Sequence, residues 1–209
     1  MIEETPQEDH RAPGALSGTA PRGRPPARRM LLVLSCAVAA LALVVDQVSK
    51  QLALAFLETD SRIPLIGDLL GLQLAFNTGA AFSLGSQLTP LITLLGVAAS
   101  VFLIGAAARV RHPVKAVAIG MILGGALGNL ADRMIAPPGL GRGAVTDMLA
   151  YGELFIGNLA DVAIAGGVVL YLIAVWRVSS GEARRRSPSS GPGAGSNGPA
   201  SEDAGVRRR

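Results

Sequence analysis

The sequence predicts an all-α membrane protein, a bundle of four transmembrane helices, and three observations predict it. Half of the 209 residues are hydrophobic and only 16% are charged, a balance too apolar for an ordinary soluble domain. Four apolar runs recur, each close to the ~20 residues that cross a bilayer as a helix. The basic residues gather in the segments that four spans would leave on one side.

The elements follow in order. Residues 1–29 are rich in Pro, Gly and Arg and cannot bury enough apolar surface to fold, so a disordered tail is expected there. The first apolar run, Met30 to Phe56, contains Val33-Leu34-Ser35-Cys36, a faint likeness to a lipidation box. Few apolar residues precede Cys36 and the run continues well past it, so the segment reads as a spanning helix and not as a cleaved signal. Further runs cover Leu88 to Ala108, Val114 to Ala131 and Leu159 to Val178, and together they place the membrane domain at 30–178. Gly and Ala are frequent in all four, which suits close helix packing in lipid. The 57–87 connection holds short apolar stretches at 63–76 that read as a small strand pair. The 132–158 connection has amphipathic character through Val145, Met148, Leu149, Tyr151 and Leu154. Residues 179–209 read as a second disordered tail.

Charge orients the bundle. Arg22, Arg24, Arg28 and Arg29 precede the first helix, Arg109, Arg111 and Lys115 join the second to the third, and Arg177 and Arg184 to Arg186 follow the fourth. The positive-inside rule puts these segments and both termini in the cytoplasm, and the two longer connections outside. Basic residues at the ends, with few aromatics, fit a membrane surface and not a nucleic acid. The single cysteine excludes an intramolecular disulfide and Cys-rich metal sites. His10 and His112 lie in a tail and a short loop, away from any partner for metal or base chemistry.

Ionisable and amide side chains near a membrane are expensive and need a reason. Here they gather toward one side. Asp46 and Lys50 are four apart on the first helix and can pair, with Lys50 expected to snorkel outward. Asn77 and Gly79 form a turn in the first long connection. Asn129, Asp132 and Arg133 share a face at the end of the third helix, where Asp132 and Arg133 read as a charge pair. Asn158 and Asp161 open the fourth helix, and residues 157–161 repeat 128–132 letter for letter. Asp147 stands alone in its loop, as a solvated surface residue would. Paired carboxylates are the recognisable catalytic device in this set, because two close aspartates share one proton. Two other readings use the same residues: proton or cation sites of a small transporter, and a structural subunit without chemistry. The position of the acids at helix ends, without paired helix interruptions, favours the catalytic reading over a transport path. Spacing alone ranks Asp132 ahead of Asp147.

Asp46-Gln-Val-Ser-Lys50, Asn77-Thr-Gly-Ala-Ala-Phe82, Gly124-Gly-Ala-Leu-Gly-Asn-Leu-Ala-Asp-Arg133, Val145-Thr-Asp147 and Asn158-Leu-Ala-Asp161 together resemble the ordered motifs of the lipoprotein signal peptidases. The resemblance covers Met30 to Val178. It implies four spans, a small extracytoplasmic β-cradle and a short amphipathic helix on the periplasmic side over the site. It also implies an aspartic endopeptidase of the bacterial inner membrane, without metal or cofactor. Such an enzyme acts on diacylglyceryl-modified prolipoproteins among membrane lipids and cleaves before the lipid-bearing cysteine; a monomer is the expected state, although the sequence does not fix it. The resemblance implies Asp147 and Asp161 as the catalytic pair, with Asp46, Lys50, Asn77, Gly79, Asn129, Asp132, Arg133 and Asn158 in support. Two departures stand out: Gly157 occupies a position that is usually aromatic, with Phe155 two residues earlier, and the stretch from Asp147 to Asp161 is short.

Overall fold

The structure, a computed structural model, describes residues 26–79 and 88–186. The expected tails lie largely outside these residues, as do Ala80, Ala81 and Phe82 of the Asn77 motif. The element order is α1 (Pro26–Phe56), β1 (Ile63–Ile66), β2 (Leu70–Asn77), α2 (Thr89–Ala107), α3 (Pro113–Ile135), β3 (Val145–Tyr151), β4 (Phe155–Gly157) and α4 (Leu159–Arg186). Among the described residues four helices are long and apolar enough to cross a membrane. Both α1 and α4 reach beyond the apolar runs, and α3 continues past Ala131 to Ile135, which brings Asp132 and Arg133 inside the helix.

The bundle is inverted relative to a soluble one. Large apolar side chains such as Leu41, Leu94, Phe102 and Trp176 are exposed, while Ser35, Asp46, Lys50, Asp147 and Asn158 are among the most buried residues. That arrangement suits a lipid surround, which solvates Leu and Phe but not charge. α3 is the central helix and packs on α1, α2 and α4. A stripe of glycines lets it approach α1 closely. A Cβ at Gly120 would meet the Ser35 carbonyl at 2.7 Å, one at Gly124 would collide with the Ala39 carbonyl, and one at Gly128 with the Asp46 carboxylate. On the opposite face, a Cβ at Gly125 would meet the Ala160 carbonyl of α4 at 2.5 Å. Small residues substitute for the missing hydrophobic drive between helices in lipid.

The protein is not purely helical. The strands form one antiparallel sheet in the order β1-β2-β3-β4. The strand pair expected at 63–76 is β1 and β2, in which Ile63 pairs with Leu72 and Pro64 with Gly71. The amphipathic helix expected in the second long connection is absent; residues 145–157 form the β3-β4 hairpin instead. Val145, Thr146, Tyr151, Phe155 and Ile156 are β-branched or aromatic, and Gly152 takes the positive φ of +56° that the tight turn needs. β2 supplies a partner edge along nearly the whole of β3, so the backbone groups are satisfied by pairing.

The glycine stripe has a direct test. Gly128→Ala drives a methyl into the Asp46 carboxylate, whereas a Cβ at Gly96 meets nothing within 4 Å. Thermal unfolding in detergent is expected to show Gly128→Ala destabilised by about 1–3 kcal/mol. Gly96→Ala is expected to be neutral or stabilised by up to about 1 kcal/mol.

Candidate active site

The sheet and the helix ends bring residues from four chain segments to one place. β2 pairs with β3 so that Asn77 lies opposite Val145 and Ala75 opposite Asp147. The β3-β4 hairpin, with Leu149 opposite Gly157, then folds Asn158 back beside Asp147. The Asn158 Nδ2 donates to Asp147 Oδ1 at 2.5 Å. The Asn77 side chain makes a second hydrogen bond to Asp147. The short stretch between Asp147 and Asp161 is thus the length of one tight hairpin.

Asp161 is placed by helix capping. Asn158 precedes α4 and its Oδ1 accepts the Asp161 N–H at 3.0 Å, while Asp161 Oδ2 accepts the Asn158 N–H at 3.2 Å. This reciprocal pair is a capping box built from Asn and Asp. The other carboxylate oxygen, Oδ1, accepts from Asn129 Nδ2 at 3.0 Å. Asp147 and Asp161 both line a cavity of about 410 Å³, together with Asn77, Asn129, Arg133, Phe155, Ile156 and Asn158.

A buried charge cluster underlies the pair. The Lys50 ammonium spends its three protons on Asp46 Oδ2 at 2.7 Å, Asp132 Oδ2 at 2.9 Å and Asn129 Oδ1 at 3.0 Å. Lys50 is 1% exposed, so it points inward and does not snorkel. Asp132 pairs with Lys50 and not with Arg133, because adjacent helical residues point about 100° apart. Asp132 Oδ2 also accepts the Thr146 N–H at 3.1 Å and anchors the start of β3. Asp46 Oδ1 accepts the Ala160 N–H at 2.9 Å, satisfying one of the first-turn donors of α4. Arg133 donates through Nη2 to the Gly79 carbonyl at 2.7 Å and through Nη1 to the Asn129 carbonyl at 3.2 Å. Gly79 in turn donates to Asn77 Oδ1 at 2.9 Å, which closes the turn.

Every sequence-derived site residue therefore enters one connected network. The repeated pentapeptides do not play equivalent parts: Asn129 and Asp132 lie within α3, whereas Asn158 and Asp161 cap α4. Gln47 was missed. Its Nε2 donates to Asp132 Oδ1 at 3.1 Å and to the Gly128 carbonyl at 3.2 Å. The signal was available, since an amide inside an apolar helix needs a partner. Phe155 was also undervalued. A Cβ at Gly157 would lie 3.3 Å from the Phe155 ring and 3.0 Å from Asp161 Oδ2, so Phe155 forms the aromatic wall beside Gly157.

Burial pushes the Asp147 carboxyl up to about 6, and the nearby Asp161 charge pushes the same way. The hydrogen bonds from Asn158 and Asn77 and the charge of Lys50 pull against that rise. A carboxyl of raised proton affinity and a second carboxylate, held by amides beside a balanced charge cluster, make a unit that can hold one proton and activate water.

This fold and site define a membrane-embedded aspartic peptidase. The family model described as signal peptidase (SPase) II matches residues 38–177. The lipoprotein signal peptidase of Mycobacterium avium is 44% identical over 157 residues, covering 74% of this chain and 84% of that one. That of Leifsonia xyli is 39% identical over 174 residues, covering 83% and 80%. A solved bacterial membrane enzyme superposes with a TM-score of 0.57 at 26% identity, covering 71% of this chain and 90% of that one. A second bacterial membrane enzyme structure gives a TM-score of 0.58 at 24% identity and shares the fold. The chain belongs to the signal peptidase II family.

The raised Asp147 carboxyl has a consequence for stability. Its proton is held more tightly in the folded than in the unfolded chain, so the folded state is favoured at low pH and loses that advantage as pH rises through about 6. Asp147→Asn removes the ionisation penalty. Unfolding in detergent is expected to show the variant more stable than the parent above about pH 7, by up to about 3 kcal/mol, with the gap closing near pH 4.

Proposed function

We propose that Asp147 and Asp161 are the catalytic pair of an endopeptidase that removes the signal peptide from diacylglyceryl-modified prolipoproteins, cutting before the lipidated cysteine. The relatives' shared name supplies the lipoprotein substrate class. The observation that carries the assignment is convergence: Asp147 and Asp161 share Asn158 as a ligand and line the same cavity. Asp132, the stronger candidate on spacing alone, is committed to Lys50, Gln47 and the β3 backbone.

Asp161, which accepts hydrogen bonds from Asn129 and Asn158, acts as the ionised base and takes a proton from the attacking water. Asp147, with its raised proton affinity, holds the shared proton and gives it to the scissile carbonyl. The amides of Asn77 and Asn158 fix the Asp147 carboxyl. The Arg133 Nε–H, buried and without a hydrogen-bond partner among the described residues, is a donor for the substrate backbone. An apolar recess of about 300 Å³ lined by Leu52, Phe56, Leu57 and Met148 supports a lipidated substrate. Met148 directly follows Asp147 on β3, so the recess adjoins the strand that carries the carboxyl.

Topology belongs to the same proposal. Arg28, Arg109, Arg111, Lys115 and Arg177 lie at the bundle end away from the carboxylates, which supports cytoplasmic termini and an extracytoplasmic active site in the inner membrane. The membrane domain of this reading is 30–178, and it works as a monomer.

Cleavage of a purified lipidated prolipoprotein, followed by gel shift, tests the pair. Asp147→Asn and Asp161→Asn are each expected to lower kcat by about 10³-fold or more while the proteins remain folded. Full activity in either variant would remove it from the dyad. For the parent enzyme, kcat/KM is expected to fall as pH rises through the Asp147 value of about 6, because the doubly ionised pair has no proton to donate. A flat profile between about pH 5 and 8 would contradict the shared-proton assignment.

A further inference from the structure

At the end of the bundle away from the carboxylates, a recess of about 410 Å³ opens between the α2-α3 turn and α4. Arg109, Arg111, His112 and Lys115 line it, with Tyr171 on the far wall and Ile119 in its apolar floor. No carboxylate lines it, and the only salt bridges among the described residues are those of Lys50. Arg109 donates to the Gly105 carbonyl at 2.9 Å, a neutral partner that leaves its charge uncompensated. The Lys115 ammonium stands 5.7 Å from the Tyr171 ring centroid, which holds it toward α4 across the recess.

The local fold forces this convergence. Ala107, Val110, Ala116 and Ile119 are buried together and pin the turn against α1, which leaves the intervening cations at the surface. Pro113 starts α3 behind an extended His112 whose carbonyl accepts the Ala116 N–H, so the N-terminus of this 23-residue helix, without a side-chain cap, lies beside the recess at Lys115. A basic loop that only sets topology needs no recess. Here three permanent cations, a helix N-terminus and a tyrosine surround a concave space with an apolar floor.

We propose that this recess binds a phosphate group, and that its source is the headgroup of an anionic phospholipid such as phosphatidylglycerol. Lys115 is fourteen residues from Asn129 along α3, or about 21 Å, so the bound headgroup lies far from the reacting carboxyls. Tyr171 on the far wall is partly exposed and its neighbour Leu172 is exposed, so the recess adjoins the apolar outer surface of α4, along which the acyl chains of a phospholipid would run. A bound anionic lipid offsets part of the positive charge of the turn and ties α2, α3 and α4 together.

The test uses the full chain in an uncharged detergent, titrated separately with phosphatidylglycerol, phosphatidylcholine and inorganic phosphate. Thermal unfolding and native mass spectrometry are the readouts. Phosphatidylglycerol is expected to raise the unfolding temperature and remain bound. The double variant Arg111→Gln/Lys115→Gln is expected to bind it about 30-fold more weakly, the effect of removing two surface cations. Arg28→Gln/Arg29→Gln removes the same charge at the start of α1 and is expected to keep binding within about twofold. An equal response to inorganic phosphate would keep the phosphate site and move its source to soluble phosphate. An equal response to phosphatidylcholine, no response to phosphatidylglycerol, or full binding by the Arg111/Lys115 variant would overturn the proposal. Should the double variant unfold, Arg111→Gln alone is read against the same arms.

Discussion

The structure depends on one buried ammonium. Lys50 is enclosed among helices whose outer surfaces are apolar, and a charge in such a place survives only when fully paired. Its contacts to Asp46, Asp132 and Asn129 use every proton it has. The two carboxylates then reach outward, Asp46 to the start of α4 and Asp132 to the start of β3. One cation on α1 thereby fixes the two elements that carry Asp161 and Asp147. The close approach of α3 at Gly128 is the steric counterpart of this arrangement, since any side chain there would displace the Asp46 carboxylate.

The same ammonium sets the polarity of the amides. Asn129 presents its oxygen to Lys50 and to Asn158 Nδ2, so its NH₂ must face Asp161. Asn158 in turn gives its own NH₂ to Asp147. The orientation of both amides follows from the network and from no single contact. Lys50 and Arg133 balance Asp46 and Asp132 in formal charge. The net charge of the site is then that of the Asp147-Asp161 pair, and the proton of the proposed mechanism would leave it at a single negative charge.

Much of this was legible in the sequence, and the failures are instructive. Four spans followed from apolar run length and loop charge, because both are local properties. The Asp46–Lys50 pair followed from helical spacing, but its direction did not, because inward or outward pointing depends on what the neighbouring helix offers. Asp132 and Arg133 were paired by adjacency, yet helix geometry separates them and delivers Asp132 to Lys50. Asp147 looked isolated because its partners arrive through strand pairing, Asn77 from seventy residues before it and Asn158 from the far side of a hairpin. Only the resemblance to a known motif order singled it out. The hairpin was read as an amphipathic helix by that same resemblance, although the β-branched and aromatic residues at 145–156 and the positive-φ Gly152 already carried a strand signal.

The fold also divides the molecule into two polar ends joined by apolar helices. One end gathers carboxylates and amides around a cavity, and the other gathers cations around a recess. The proposed mechanism at the first end requires one proton on the Asp147-Asp161 pair, held at Asp147. Carboxyl-region infrared spectroscopy of the purified protein, titrated between about pH 4 and 8, measures it directly. One protonated carboxyl band is expected to disappear near pH 6 and to be missing from Asp147→Asn. A band that persists in that variant, or no carboxyl titrating between about pH 5 and 7, would contradict the account.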